Sequence, residues 1–216
     1  LIFAENIDKK ISADFFVFAS KHRSRENMPS FTVHPIGNFG SADFGGRAME
    51  LCFSSAVLLK NLFVELNNIG KETNFELTME ATHHGPYVEK PAVFVEIGST
   101  EKEWNDKLNG EIIAKTIMNG LNNKNKNYKI AVGVGGPHYC SNFNKIVLRT
   151  EIALSHICPK YQLEKLDEEL IKQSMEKTIE KVDFILLDWK GLGTEKQRIV
   201  ELLKNLNINF KRTYQI

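Results

Sequence analysis

The chain has 216 residues, of which 42% are hydrophobic and 25% charged, as in an ordinary globular protein. Its 28 lysines and arginines nearly balance 27 aspartates and glutamates, and this net charge of +1 excludes a generally basic nucleic-acid binder while leaving room for a local basic surface. Three cysteines are too few for a disulfide framework and favour a reducing, cytoplasmic compartment. The sequence contains no uncharged apolar run of about 18 residues, so no membrane span is expected.

Strand-like and helical segments alternate along the first half of the chain. Residues 13–20 form an apolar run that predicts a short buried strand, and residues 47–70 predict a largely buried helix that ends at Gly70. Apolar and polar residues alternate over 75–82, which indicates a half-buried strand, and the β-branched run over 92–99 predicts another strand.

The second half of the chain continues this alternation. Thr100 and Glu103 have the spacing of a capping box, which predicts the start of a helix. The predicted elements that follow are the helix over 100–121, strands over 128–136 and 182–189, an extended segment of one or two strands over 145–157, and helices over 163–182 and 194–206.

Helices that separate continuous apolar strands predict an α/β fold with a central sheet covered on both faces, that is, a three-layer α/β/α arrangement. The extended segment over 145–157 has no long helix within it, so we expect a mixed, mostly parallel sheet. The absence of a repeat or a low-complexity linker predicts a single domain over 1–216. Because the chain does not begin with methionine, we also expect that N-terminal residues are missing.

Histidines, glycines and prolines gather where the predicted strands end. His83 and His84 follow one strand, and Gly135, Gly136 and His138 follow another. Sites in open α/β sheets form beyond the carboxyl ends of the strands, so this layout predicts a pocket. Adjacent side chains on a strand point to opposite faces, and we therefore expect the Gly-Pro turn after His84 to free the two imidazoles from that alternation.

Each of these features also has a simpler interpretation. The paired histidines could be turn residues that bond to local carbonyl groups, and the glycines of "GVGGPH" lack the spacing of a phosphate-binding loop. Cys140 and Cys158 each lie two residues from a histidine, which suits a soft metal, yet unpaired cysteines are common in protein cores. Glu80 and Glu96 could face a pocket or lie on an ordinary sheet surface.

Six ordered segments together resemble the motifs of the D-aminoacyl-tRNA deacylase family of archaeal and plant type, also called D-tyrosyl-tRNA deacylases. The segments are "FASKHRS", "PSFTVHPIGNFGSADFGG", "MEATHHGP", "FVEIGST", "GVGGPHY" and "ALSHICPKY". They lie between residues 13 and 161, and the later "DWKGL" also fits the family. This chain departs from the pattern at its start, where family members open with a further strand.

The resemblance implies an enzyme that hydrolyses the ester between a D-amino acid and the terminal ribose of tRNA, and so removes mischarged D-aminoacyl-tRNA. It also implies a zinc-dependent, monomeric, cytoplasmic protein with a fold akin to phosphorylases and peptidyl-tRNA hydrolases. Two alternatives stay open at this point: a hydrolase or phosphorylase of the same fold that acts on a nucleoside or peptide, and a tRNA-binding module without catalysis.

Residue roles follow as hypotheses on this basis. We expect His83, His84 and His138 to serve the chemistry, with oxyanion donors from the amides of Gly135 and Gly136. The candidate tRNA contacts are Lys21, His22, Arg23, Ser24 and His34. The candidate zinc ligands are His83, His84, His138, Cys140, His156 and Glu96.

Overall fold

The computed structural model describes residues 1–23, 27–123 and 127–216. Its strands are β1 Phe16–His22, β2 Ser30–Pro35, β3 Glu76–Met79, β4 Ala92–Gly98, β5 Lys129–Val134, β6 Ile152–Cys158, β7 Phe184–Leu187 and β8 Phe210–Arg212. Its helices are α1 Ile7–Lys10, α2 Ala56–Gly70, α3 Glu101–Trp104, α4 Lys107–Asn122, α5 Ser141–Arg149, α6 Glu168–Glu176 and α7 Lys196–Asn205. Short 3-10 turns cover Lys160–Lys165, Gly193–Glu195 and Thr213–Gln215.

The strands form two four-stranded sheets. The first sheet has the order β1-β4-β2-β3, in which β2 runs antiparallel to β4 while the other two pairs are parallel. The second sheet has the order β6-β5-β7-β8 and is entirely parallel. Helices separate most of the parallel strands, as parallel connections require. The predicted α/β class with mixed, mostly parallel strand pairing is confirmed.

The two sheets meet at the residues that follow β3. The Thr82 backbone N–H donates to the carbonyl of Ile157 on β6, at 3.0 Å, and the Ile157 N–H donates to the Thr82 hydroxyl at 2.9 Å. One residue earlier, the Ala81 N–H donates to the carbonyl of His138 at 2.8 Å. The hydrogen-bond network therefore continues from the first sheet into the second, and it fixes the loop after β5 against the end of β3.

The largest core cluster lies between α2 and both sheets. It includes Leu62 and Phe63 of α2, Phe31 and Val33 of β2, and Leu154 of β6, all with essentially no exposed surface. Burying each such side chain contributes about 1.5–3 kcal/mol, so this cluster holds the two sheets in a fixed relation.

Helix α2 is shorter than the predicted helix over 47–70, because it begins at Ala56. The Ser55 side chain accepts a hydrogen bond from the Leu58 N–H, which caps the helix at that point. The helix predicted over 163–182 is likewise shorter, since α6 begins after the Asp167 cap.

The extended segment predicted over 145–157 is wrong in its first part. Residues as far as Arg149 belong to α5, whose Phe143, Ile146 and Val147 form one buried face at helical spacing. The β-branched residues of this stretch gave the misleading strand signal. Strand β2 was not predicted, because Ser30 and other polar residues interrupt its apolar pattern although all six positions are buried. Within the described ranges, no helix combines the length and apolar character that crossing a membrane requires.

Candidate active site

One face of the first sheet is polar across all four of its strands. Glu96 of β4 pairs with Thr32 of β2, and these two residues belong to a row of paired residues that crosses all four strands. His22, His34 and Glu80 each lie two residues further along their own segments than a member of this row. Residues two apart on a strand share a face, so these side chains project to one side of the sheet. The opposite face carries the apolar side chains of the core cluster described above.

Glu80 is the centre of this polar face and is fully buried. Its Oε2 lies 2.9 Å from Nε2 of His138 and 3.3 Å from Nε2 of His83, and its Oε1 lies 3.7 Å from Nδ1 of His22. Burial alone would raise the pKa of Glu80, but the hydrogen bond from His138 holds it well below its usual value. Glu80 is therefore an ionised carboxylate surrounded by imidazoles.

His138 connects this buried carboxylate to the surface. Its Nε2–H donates to Glu80, so its Nδ1 accepts from the hydroxyl of Tyr161 at 3.0 Å. The Glu80 side chain has no exposed surface, whereas 28% of the His138 side chain and 54% of Tyr161 are exposed. A buried carboxylate that orients an imidazole, with the second ring nitrogen directed outward, is the arrangement of a general base and its positioning group.

Three further imidazoles lie close together, and in each of them Nδ1 faces a main-chain carbonyl. Nδ1 of His34 donates to the carbonyl of Pro35, Nδ1 of His83 to that of Ala81, and Nδ1 of His84 to that of Gly85, over distances of 3.0, 2.7 and 2.6 Å. A carbonyl oxygen can only accept, so Nδ1 carries the proton in each neutral ring and Nε2 keeps its lone pair. One nitrogen from each ring lies within 4.8 Å of the other two.

His83 and His84 converge because the backbone leaves the extended conformation between them. His84 has a φ of 47°, in the left-handed region, which turns its side chain away from the alternation of a strand. The ring centroids of the two residues are consequently 4.3 Å apart. Burial lowers the pKa of His84 to about 4 and holds the pKa of His83 well below its usual value, so both rings are neutral near pH 7.

Among the residues that the structure describes, the polar face carries buried polar atoms that have no hydrogen-bond partner and that a cation or a proton would neutralise. Within the described ranges, Oγ1 of Thr32, Nε2 of His34 and Oε1 of Glu80 are buried without a hydrogen-bond partner. Nε2 of His34 lies 3.5 Å from Oε2 of Glu96, and two acceptors at this distance require a positive charge between them. Burial would lower the pKa of His34, but the neighbouring carboxylates of Glu96 and Glu80 outweigh it and raise the pKa.

Three groups of side chains have the geometry of metal ligands. They are His34 with His83 and His84, Glu80 with His83 and His138, and His22 with Glu80 and Glu96. Of the candidate zinc ligands, His83, His84, His138 and Glu96 are thus brought together. Neutral imidazoles whose second nitrogen donates to a carbonyl are typical of protein metal ligands.

His156 and Cys140 lie outside these three groups. His156 is fully buried on β6, with its Nδ1 3.4 Å from the Thr82 hydroxyl, because its side chain points into the junction of the sheets. The Cys140 thiol donates to the carbonyl of His138, and burial raises its pKa well above the usual value. The thiol of Cys140 is thus engaged by the main chain rather than by the three groups.

The amide of Gly135 does not have the expected freedom. The Gly135 N–H already donates to the carbonyl of Cys158 at 2.8 Å, so it is not free to bind an oxyanion. At Gly136, a Cβ would lie 2.8 Å from the carboxylate of Asp188, which places this glycine beside a negative charge. Both glycines have positive φ values, of 96° and 84°, which suit a tight turn with close packing.

The candidate tRNA contacts divide into buried and exposed residues. His34 has no exposed surface and cannot touch a phosphate, because it lies within the buried strand β2. His22 belongs to the polar face, where its Nε2 lies 3.1 Å from the Tyr139 hydroxyl. Lys21 and Arg23 are exposed, and their cationic groups lie 4.5 and 5.6 Å from the ring of Trp104. Ser24 lies outside the described residues.

Comparisons with known proteins identify the family of this chain. The family model described as D-aminoacyl-tRNA deacylase matches residues 9–211. The chain belongs to the D-aminoacyl-tRNA deacylase family. It is 38% identical to the D-aminoacyl-tRNA deacylase of Thermococcus onnurineus, over 98% of this chain and 80% of that protein. It is 40% identical to the deacylase of Pyrococcus furiosus, over 97% of this chain and 80% of that protein.

The family's fold is shared with a solved structure. A crystal structure of a conserved protein of unknown function superposes with a TM-score of 0.92 at 34% identity, over 100% of this chain and 78% of that chain. The family membership expected from the six motifs is thereby confirmed, and the α/β architecture with it.

Proposed function

We propose that this protein hydrolyses the ester of D-aminoacyl-tRNA and that the polar face around Glu80 is its catalytic centre. The observation that carries the assignment of the site is the chain of contacts from Tyr161 through His138 to Glu80. Family membership supplies the substrate class, since its named members are D-aminoacyl-tRNA deacylases.

The reaction needs a base that removes a proton from the attacking water. Nδ1 of His138 lies on the open side of the site and can accept that proton when the substrate displaces the Tyr161 hydroxyl. Ionised Glu80 keeps the ring in the correct orientation and stabilises the imidazolium that forms. The resulting His138 cation can then protonate the leaving ribose oxygen.

The same face fits the zinc that the family resemblance implies. His34, His83 and His84 would hold one ion, since Nδ1 of each ring faces a carbonyl and leaves Nε2 for the metal, with His34 releasing its proton as the ion binds. Glu80 and Glu96 supply two carboxylates beside them. A bound zinc ion would lower the pKa of a coordinated water to about 7.

The exposed residues next to His22 are suited to hold tRNA. Lys21 and Arg23 lie around the Trp104 ring, whose Nε1–H donates to the carbonyl of His22 at 3.2 Å. Cations around an aromatic ring are typical of surfaces that bind single-stranded nucleic acid. A Lys21→Ala variant should raise KM for the tRNA ester without lowering kcat, and an unchanged KM would remove this surface from substrate binding.

Ester loss from D-tyrosyl-tRNA, compared with L-tyrosyl-tRNA, is the experiment that tests the function. We expect the D-ester to be hydrolysed faster, and His138→Ala to lower kcat by about 10²–10⁴, the typical contribution of a general base. His156→Asn is the matched control, because it replaces a histidine outside the three ligand groups. Binding of tRNA without ester loss would indicate a binding module instead, and turnover of nucleosides alone would indicate a phosphorylase-like enzyme.

The monomeric state and the cytoplasmic location remain part of this proposal. Their support is the family resemblance and the substrate, since charged tRNA is a cytoplasmic reactant. Light scattering of the purified protein would contradict the monomer if the mass were twice the 24.6 kDa of the chain.

A further inference from the structure

A cavity lies beside the turn that precedes His138. It has a volume of about 310 Å³ and is formed by the "DWKGL" segment, α5 and the C-terminal turn. Its lining includes Asn142, Lys145, Asp188, Trp189, Lys190 and Tyr214. The catalytic scheme uses none of them.

The segment that contains Asp188 and lines this cavity is in contact with the loop that carries His138. Asp188 is buried, and its carboxylate accepts hydrogen bonds from the Asn142 side chain at 3.0 Å and from the Gly191 N–H at 3.3 Å. A Cβ at Gly191 would lie 2.2 Å from the backbone nitrogen of Gly136, so the two glycines are in direct contact. Because Gly136 is only two residues before His138, the cavity and the proposed base share one short loop.

The rim of the cavity combines positive charge with aromatic surface. Lys145 and Lys190 are exposed, and 62% of the Tyr214 side chain is accessible. The guanidinium of Arg212 lies 4.0 Å from the Trp189 ring and donates to the Tyr214 hydroxyl at 2.6 Å. Asp188 is the one carboxylate among the lining residues, and its hydrogen bonds are internal. Exposed lysines around aromatic rings match a phosphodiester and the base next to it.

We propose that this cavity binds the nucleotide that precedes the esterified terminal nucleotide of the substrate. The Tyr214 ring stacks on the base, while Lys145 and Lys190 contact the adjoining phosphates. This inference rests on the proposed function, because a tRNA ester at His138 places its preceding nucleotides near the same loop. It gives a role to the buried aspartate, the tryptophan and the one glycine of the "DWKGL" segment.

The test compares two substrates that share the same ester. D-tyrosyl-tRNA contains the preceding nucleotides, whereas 3′-D-tyrosyl-adenosine contains only the terminal nucleoside. We expect the double variant Lys145→Ala/Lys190→Ala to raise KM for D-tyrosyl-tRNA about 10-fold or more at low salt. Its log–log salt dependence should flatten by about 1.4, since each phosphate contact to a single strand contributes about 0.7. Turnover of the small ester should not change.

The matched control is Lys115→Ala/Lys172→Ala, which removes the same charge from two exposed lysines that do not line the cavity. This control should leave both substrates unaffected. Tyr214→Ala should raise KM for the tRNA ester, and Tyr214→Phe should restore it, because phenylalanine keeps the stacking surface without the hydroxyl.

Two results would overturn the inference. One is an equal rise of KM for both esters, which would place the effect at the reaction centre. The other is an unchanged KM for D-tyrosyl-tRNA in the double variant and in Tyr214→Ala. If the wild-type enzyme cleaved neither ester, the proposed function would be wrong. The cavity would then be tested by the binding of uncharged tRNA, and equal affinity of wild type and double variant would exclude it as a nucleotide site.

Discussion

His84 and His156 are both imidazoles whose pKa burial lowers to about 4, yet their surroundings differ. Nε2 of His84 faces two other imidazoles and belongs to the proposed metal site. His156 lies on β6 between the two sheets, where its polar contact is with the Thr82 hydroxyl. We therefore propose a functional role for His84 and a structural role for His156 at the sheet junction.

The buried His156 should make the protein sensitive to mild acid. Its pKa is about 4 when folded and about 6.5 when unfolded, so the unfolded chain binds more protons between these values and stability falls as the pH falls through them. This one residue should cost about 2 kcal/mol of unfolding free energy between pH 7 and pH 5. Urea denaturation at both pH values, for wild type and His156→Asn, measures the difference. Equal pH dependence of the two proteins would contradict it.

Local sequence signals drew attention to the histidines but left Glu80 undecided between a pocket and an ordinary sheet surface. His83, His84 and His138 stand beside glycine or proline at predicted strand ends, where functional residues are expected. Glu80 follows an alternating strand and looks like a surface residue until the register places it on a buried face. Long-range register between β2, β3 and β4 cannot be read from one sequence, so neither could the Glu80–His138 contact.

At the scale of single elements, one buried lysine connects three of them. Lys60 of α2 is 4% exposed, and its ammonium donates to the carbonyls of Val147, Thr150 and Ile152. These carbonyls belong to the end of α5 and the start of β6, where helix carbonyls lack partners of their own. The lysine therefore closes the α5–β6 turn from the side of α2.

Replacing this lysine should destabilise the fold. Lys60→Met keeps the length of the side chain but leaves buried carbonyls without a donor, at a cost of about 3 kcal/mol. Lys115→Met is the control, because its exposed ion pair with Glu111 contributes little. The midpoint of urea unfolding measures both variants, and a Lys60→Met protein as stable as wild type would show that the three carbonyl contacts are energetically unimportant.

Element prediction succeeded where one physical signal dominated. The capping box at Thr100 and Glu103 is present, β4, β5 and β7 lie within predicted strands, and β6 extends one residue beyond the segment predicted over 145–157. The errors came from conflicting signals: α5 contains β-branched residues on a helical face, and β2 contains polar residues although it is buried. In both cases tertiary contacts outweighed the local propensity.

At the scale of the whole molecule, the candidate site draws on both sheets. His22, His34 and Glu96 come from strands of the first sheet, whereas His138 comes from the loop after β5 in the second. The hydrogen bond from Ala81 to the His138 carbonyl joins the two parts. Anything that binds the assembled site and not the unfolded chain should therefore stabilise the complete fold.

Zinc should raise the melting temperature through this linkage. At a free zinc concentration of about 100 times Kd, the gain is about 2.7 kcal/mol, which corresponds to about 5–10 °C for a chain of this size. Elemental analysis and thermal melts, before and after chelation, measure the effect. His83→Ala should abolish the shift, since His83 belongs to two of the three ligand groups, and His156→Asn should retain it. Purified protein without zinc, with no shift on zinc addition and with full deacylase activity, would show that His138 and Glu80 perform the chemistry without a metal.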